Sequence, residues 1–302
     1  MLEKPLEKKR DATFCAVMEV GLIFPFPLKR SYGGSQKGIT YVPNGDSQNL
    51  FHTGDADLKT PLNLEFIAKD TVKAVERRDV IVIIDALRCC STIVTALTNG
   101  AACVIPVITI PEARMLKKKN PGFITAGERK GIKPKGFTLG NSPLEFSSEN
   151  VKGRVVILTT TSGTKAISLS KKGEWVLIGA FLNAKAVAEA SLKIAEKEET
   201  GISLVLAGKE GQFSLEDFLC AGAIAEGFPA EKVELDDAVR AALLGFEGAR
   251  RSLKKVIQQG SHAQYLEKKG FENDVEFCSK MNIFAVVPFL KEEKIVPLET
   301  SV

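Results

Sequence analysis

Four short phrases carry the residue types from which a phosphate site could be built. Ile84-Asp85-Ala86-Leu87-Arg88 sets a carboxylate three residues before a guanidinium, and Gly127-Glu128-Arg129 sets an acid beside another. Thr160-Thr161-Ser162-Gly163-Thr164 offers hydroxyls around one glycine, and residues 211–218 contain Ser214, Glu216 and Asp217. The first, third and fourth lie where a buried strand is expected to run into a loop or helix; the second lies in a Gly-rich loop. In open α/β sheets that rim is where ligands bind. Acid, guanidinium and hydroxyl-glycine groups together suggest a phosphate held near a metal.

Each phrase has a plainer reading beside the chemical one. Asp85 ends the strongest strand, where an unpaired buried carboxylate costs several kcal/mol. It needs Arg88, a metal, or a structural Asp–Arg pair capping the next helix. In residues 159–164, Gly163 allows close backbone approach, and the helix start behind it suits an anion. Plain capping by Thr161 or Ser162 competes, and the spacing of a Walker loop is absent. Ser214-Leu215-Glu216-Asp217 fits a capping box, which would occupy Asp217 at the third helical position. Glu216 then remains as a metal or water-holding group. Ser142-Pro143-Leu144-Glu145 repeats the pattern, so Glu145 reads as structural.

The Arg129 fork suits bidentate contact with phosphate, carboxylate or sulfonate, against the plainer reading of a surface ion pair with Glu128. Lys133 and Lys135 read as solvated. His262, after Ser261 at a helix start, could protonate a leaving alkoxide, although a lone histidine is more often structural. Asp55-Ala56-Asp57-Leu58 imitates an aspartyl-phosphatase D-x-D signature. No hydrophobic strand precedes it and Lys59 follows where a small β-branched residue is expected, so it is rejected.

The elements that must position these groups alternate along the chain. Residues 80–84 are a continuous β-branched run, the pattern of a strand buried on both faces. A helix over 91–98 stops at Asn99-Gly100. Strands are expected at 103–107, 123–126, 154–158, 175–178 and 202–207. Helices are expected at 111–119, opened by proline, at 164–170, at 184–197 with Asn183 as its cap, and from Ser214 through Glu226. Residues 236–280 read as mostly helical, with closing strands at 284–287 and 295–298. This alternation predicts an α/β fold with a helix-flanked, mostly parallel sheet. No internal repeat is visible. Residues 1–61, with Gly33-Gly34 and Pro43-Asn44-Gly45-Asp46, read as a weakly ordered extension. Residues 62–302 read as the working domain.

The 302 residues suffice for a real core, and the net charge of +4 comes from scattered basic residues. Lys117-Lys118-Lys119 is the densest run and reads as a solvated helix end. No aromatic interleaving supports nucleic-acid binding. The six cysteines form no C-x-x-C pair, which points to a reduced, cytoplasmic protein. A Cys-x5-Arg phosphatase is excluded, and two histidines argue against a multi-histidine zinc site. The apolar run 16–28, broken by Glu19 and two prolines, cannot span a bilayer and makes a poor signal peptide.

Taken together, these segments resemble the 2-phosphosulfolactate phosphatase (ComB) family. The resemblance rests on residues 83–97, Gly127-Glu128-Arg129, 140–145, 159–167, 179–183, 213–222, Ser261-His262 and 273–278, which follow the family order from about residue 62 onward. It implies a ComB-like phosphatase fold distinct from a Rossmann domain. It also implies Mg²⁺-dependent hydrolysis of 2-phospho-3-sulfolactate to 3-sulfolactate and phosphate, in coenzyme M biosynthesis. On this reading Asp85, Glu128 and Glu216 hold the metal. Arg88 and residues 160–164 hold the phosphoryl group. Arg129 reads the sulfonate or carboxylate, and His262 protonates the leaving oxygen. Asn183 and Ser261 join the substrate contacts, and a covalent path through Asp85 or Ser162 stays open. The partner is a small-molecule phosphoester, with no nucleic acid or membrane, and a homodimer is an open option. Two departures stand out. Ala263-Gln264 replace the usual Gly-Arg, which favours the alternative of another small anionic phosphoester; against a third reading, a non-catalytic anion-binding protein, the intact acid and hydroxyl set argues. Cys89-Cys90 replace small residues as a packing variation.

Overall fold

The structure, a computed structural model, describes residues 59–299. Nearly all of the expected extension, with the Asp55–Leu58 decoy, His52 and the apolar run 16–28, lies outside the described residues.

In chain order the elements are β1 (Thr60–Glu65), α1 (Thr71–Arg77), β2 (Val80–Ile84), α2 (Cys89–Thr98), β3 (Cys103–Pro106), α3 (Ile110–Lys119) and β4 (Ile124–Gly127). There follow α4 (Ser148–Val151), β5 (Val155–Thr159), α5 (Gly163–Leu169), β6 (Val176–Gly179), α6 (Ala184–Glu198), β7 (Ile202–Leu206) and α7 (Leu215–Ala225). The chain closes with β8 (Val233–Leu235), α8 (Asp237–Ala249), α9 (Leu253–Ile257), α10 (Ser261–Glu267), α11 (Glu272–Cys278), β9 (Pro288–Lys291) and β10 (Lys294–Pro297). The expected α/β class holds, with one sheet of ten strands in the order β4-β5-β3-β10-β9-β6-β2-β7-β1-β8. The β2 run behaves as its composition requires. Val80, Val82 and Ile84 enter one core with α6 to α8. Ile81 and Ile83 enter a second core that contains the apolar faces of α2 and α5.

Contrary to the reading of the sequence, the chain does repeat itself, in topology rather than in residues. The units β2-α2-β3-α3-β4 and β5-α5-β6-α6-β7 have the same element order. Inward from one side the sheet runs β4-β5-β3, and inward from the other β7-β2-β6. Each unit thus lends its first strand to the other. The β9–β10 hairpin lies between the two halves in this order and joins them. The contacts β3–β10, β10–β9 and β9–β6 are antiparallel, whereas pairing within each half is parallel. The halves therefore run in opposite senses. Sheet twist of roughly 20–25° per strand accumulates between β5 and β2 and turns their carboxyl ends toward each other. The starts of α2 and α5 consequently meet: a Cβ on Gly163 would lie 2.4 Å from Cβ of Cys89 and 2.6 Å from Oδ2 of Asp85.

One expected strand is displaced. Residues 284–287 are not a strand, because their backbone is engaged elsewhere. Phe284 N–H donates to Leu182 O, and the Val286 carbonyl accepts from Asn183 Nδ2 at 3.0 Å. The strand begins at Pro288. Among the described residues no helix is long and apolar enough to cross a membrane.

Candidate active site

The loops that leave β2, β4, β5 and β7, together with α10, enclose a cleft of about 290 Å³. Asp85 and Asp217 line it. Asp85 Oδ1 accepts from the Cys89 N–H at 3.0 Å, and the Asp85 N–H donates to Cys90 Sγ at 3.1 Å. Asp217 bridges the loops after β2 and β7, its oxygens accepting from Ala86 N–H at 2.8 Å and Gly208 N–H at 3.1 Å. Burial pushes the Asp85 carboxyl up to about 6. The Cys89 N–H and His262 pull against that shift, and the charges of Glu128 and Glu216 add to it. Burial, with the charges of Asp85 and Glu216, raises Asp217 well above the usual carboxylate range.

The assignments of Glu216 and Asp217 are therefore reversed relative to the sequence reading. Ser214 sits at the N-cap of α7 but its side chain makes no capping bond, and Asp217 serves the cleft floor rather than a capping box. Glu216 is buried, does not line the cleft, and its Oε1 lies 2.8 Å from His262 Nδ1. Burial would raise the Glu216 carboxyl, but the His262 bond and charge hold it below its ordinary value. An ionised Glu216 accepts the Nδ1 proton and leaves Nε2 as the working nitrogen of a ring that lines the cleft.

Glu128 lines the cleft and is buried, with Oε1 accepting from Thr161 N–H (2.7 Å) and hydroxyl (2.9 Å) and Oε2 from Gly131 N–H (2.7 Å). Thr160, Thr161 and Ser162 also line it. Thr160 and Thr164 cap each other: Thr160 Oγ1 accepts from Thr164 N–H at 3.0 Å, and the Thr164 hydroxyl donates to the Thr160 carbonyl at 3.0 Å. Ser162 Oγ accepts from Glu210 N–H at 3.3 Å. Gly163 has no room for a side chain between Cys89 and Asp85. Arg88 reaches the cleft wall, yet its guanidinium is buried, donating to Asp274 Oδ2 at 2.6 Å and Gly131 O at 2.9 Å, with the Phe271 ring 4.2 Å away. Its partner is Asp274 rather than Asp85.

Several expected contacts do not reach the cleft. Arg129 turns outward to the carbonyls of Glu128 and Ile108 and to Thr159 Oγ1, at 2.6, 2.6 and 2.8 Å. Asn183 is buried and bonds Ala180 N–H, Ile178 O and Val286 O. Thr164 and Ser261 are not lining residues. Glu145 is structural as expected, but by accepting from Gly140 N–H at 2.9 Å rather than by capping. Gln264 lies outside the cleft with its amide on the Gln259 carbonyl. Cys89 and Cys90 are buried, and burial pushes their thiols well above the ordinary range, which makes them packing groups.

Conversely, the sequence reading missed Asn141, Lys130, Lys209 and Tyr265, all of which line the cleft. Asn141 is buried and its Oδ1 has no hydrogen-bond partner. That oxygen is thus available to accept from a group entering the cleft.

Among the described residues no three His, Cys, Asp or Glu side chains form a preformed metal cage. The expected set of Asp85, Glu128 and Glu216 is not assembled, since Glu216 is committed to His262. The acidic floor nonetheless fits Mg²⁺, which binds through one or two carboxylates with waters and substrate phosphate. Asp85 and Asp217 are buried acids that oppose each other's charge, a repulsion that a cation relieves.

A family profile described as 2-phosphosulpholactate phosphatase matches residues 66–293. The probable 2-phosphosulfolactate phosphatase of Thermotoga maritima is 47% identical over 209 residues, 69% of this chain and 88% of its own. That of Pseudothermotoga lettingae is 41% identical over 222 residues, 74% and 94% of the two chains. That of Clostridium beijerinckii is 36% identical over 232 residues, 76% and 95%.

Proposed function

The chain belongs to the 2-phosphosulfolactate phosphatase family, and on that premise we propose that it is a phosphoric monoester hydrolase that converts 2-phospho-3-sulfolactate to 3-sulfolactate and phosphate. The observation that carries the reading is the Glu216–His262 pair standing over a floor of buried acids, with the hydroxyl turn 160–162 beside it. Mg²⁺, held by Asp85 and Asp217, would supply positive charge to the phosphoryl oxygens. The Ser162 hydroxyl, which lines the cleft and accepts from the Glu210 N–H, would donate its own proton to the same oxygens as charge grows on them. His262 gives a proton from Nε2 to the departing alkoxide oxygen on C2, and Glu216 stabilises the imidazolium before that transfer. Buried Arg88 fixes the Gly131 loop through its carbonyl, and so positions Glu128.

Coenzyme M biosynthesis in the cytoplasm, and a homodimer as the assembly, belong to the same proposal. The Gln264 departure gives little support to a different phosphoester, because its amide lies off the cleft. The test is phosphate release from phosphosulfolactate, phospholactate and phosphoglycolate, with Mg²⁺ and then with EDTA. Selective, chelator-sensitive release from phosphosulfolactate supports the proposal. Faster release from another ester moves the chain to that substrate, and phosphate binding without hydrolysis of any ester removes the enzyme reading.

A further inference from the structure

With Arg129 turned outward, the cleft needs another counter-charge for the second anionic end of such a substrate. Two lysines supply it, one from each of two similar turns: Lys130 at the first central position of one, Lys209 just before the central pair of the other. The loops after β4 and β7 each close a tight hairpin, Arg129 pairing with Ile132 and Lys209 with Gln212. Their central residues have positive φ: Lys130 at 52° and Gly131 at 76° in one, Glu210 at 53° and Gly211 at 81° in the other. That is the conformation of a stiff two-residue turn. Lys130 and Lys209 both line the cleft, Lys130 exposed and Lys209 half-buried. Tyr265 joins the two turns. Its hydroxyl donates to the Lys130 carbonyl at 2.9 Å, and Lys209 Nζ sits 4.9 Å from its ring centre. Among the described residues neither lysine forms an ion pair. The acid beside them in the lining is Glu210, which is exposed.

We infer that Lys130 and Lys209, braced by Tyr265, form the seat for the terminal sulfonate of the substrate. The inference rests on the phosphosulfolactate reading for its ligand. The acids that would hold Mg²⁺ are on the buried floor, so the phosphoryl end lies deep. The sulfonate sits one methylene beyond the carbon that carries the phosphate, and therefore points toward the rim. A sulfonate is ionised at every working pH and presents three equivalent oxygens. Two ammonium groups supply it with positive charge from two directions.

Two experiments test the seat. In the first, kcat and KM are measured with Mg²⁺ for phosphosulfolactate and for phospholactate, which lacks the sulfonate, on wild type, Lys130→Ala, Lys209→Ala and Lys209→Arg. Removing either lysine should lower kcat/KM for phosphosulfolactate by about ten- to a hundredfold, the scale of one charge-assisted bond. The loss should sit mainly in KM, exceed the loss on phospholactate at least tenfold, and be largely rescued by arginine. Equal losses on both esters, or none, overturn the inference. In the second, calorimetric titration with 3-sulfolactate and with lactate needs no turnover. Weaker sulfolactate binding in the alanine variants supports the seat even if wild type hydrolyses neither ester, an outcome that would sink the substrate reading alone. Sulfolactate affinity that is absent in wild type, or unchanged in the variants, removes the seat.

Discussion

The two topological halves solve the same geometric problem with different chemistry. In each, the first strand ends and the next residue enters the cleft: Asp85 after β2, Thr160 after β5. Asp85 makes one carboxylate bond to the helix that follows and leaves its other oxygen at the interface of the halves. Thr160 exchanges bonds with Thr164 and is consumed locally. The third strands differ in the opposite direction. Glu128 follows β4 and supplies an acid, whereas the loop after β7 offers Gly208 N–H to an acid arriving on α7, Asp217. A shared scaffold brings two strand ends to one point, and reactivity lies where the halves diverge.

The largest effect should come from forcing the halves to match. Asp85→Asn keeps the Cys89 N–H bond and the volume but removes the charge, so turnover should fall by three orders of magnitude or more. Circular dichroism should show an intact fold. Thr160→Val, at the equivalent place, should lose about 0.5–2 kcal/mol of stability with the cap and a much smaller share of activity. Equal losses of activity from both would erase the distinction.

Next is the pair that belongs to neither half, Glu216 on α7 and His262 on α10. Removing the ring with His262→Ala should cost about a hundred- to ten-thousandfold in kcat. Glu216→Gln should give a smaller loss of kcat, because the imidazole stays while its orientation and cation stabilisation go. An ester with a leaving group of low pKa, p-nitrophenyl phosphate, needs no proton, so the defect should shrink on it. A defect of equal size on both esters would assign the pair to structure.

A smaller loss is expected at the seam of the halves. Gly163→Ala would place a methyl on Cys89 and Asp85, and overpacking of this kind costs about 1–3 kcal/mol. The thermal midpoint should fall, with kcat falling because Asp85 moves. Ala at Gly248, where a Cβ meets nothing within 4 Å, serves as the control.

Legibility in the sequence followed the range of the forces involved. The β2 run, the α6 helix and the alternation of elements are local patterns, and each element expected between residues 80 and 226 is found within a residue or two, whereas β1 and β8 were not expected and the strand expected at 284–287 begins at Pro288. Asp85, Glu128, the 160–162 hydroxyls and His262 stood out because an acid or hydroxyl at a strand exit has a local reason to face a cleft. What failed depended on distant partners. Arg88 is claimed by Asp274 from α11, and Asp217 is drawn from its capping box by Ala86 and Gly208. Arg129 and Lys130 are adjacent cations, and only the hairpin conformation decides which one faces the ligand. The topological repeat was invisible because it is carried by strand order, not by residues. The Lys-Gly and Glu-Gly pairs at its two turns are its one local trace.

The smallest effect is thermodynamic and separates the halves without any substrate. In metal-free protein the Asp85 carboxyl is raised from its ordinary 3.8 to about 6 by burial. The folded state thus binds that proton more tightly than the unfolded state, and ionising Asp85 opposes folding. The cost is fully present above about pH 6 and is relieved as the pH falls through 6 toward the unfolded value. The full cost is roughly 3 kcal/mol at about 1.4 kcal/mol per unit, of which the fall from pH 8 to 5 releases about half. Asp217, raised for similar reasons, acts with the same sign. Glu216 acts oppositely, but its contribution is lost only below its ordinary 4.5, so the window from pH 8 to 5 is clean. With EDTA, the thermal midpoint of wild type should rise by several degrees across that window as the pH is lowered. Asp85→Asn should reduce the slope, leaving the share of Asp217, and melt above wild type at pH 8, while Thr160→Val should keep the wild-type slope. Mg²⁺ at pH 8 should raise the midpoint of wild type by binding the folded state, and do so far less in Asp85→Asn. A flat wild-type curve in EDTA would mean that Asp85 is not held against its own charge, and the two strand exits would then be alike in energy as well as in place.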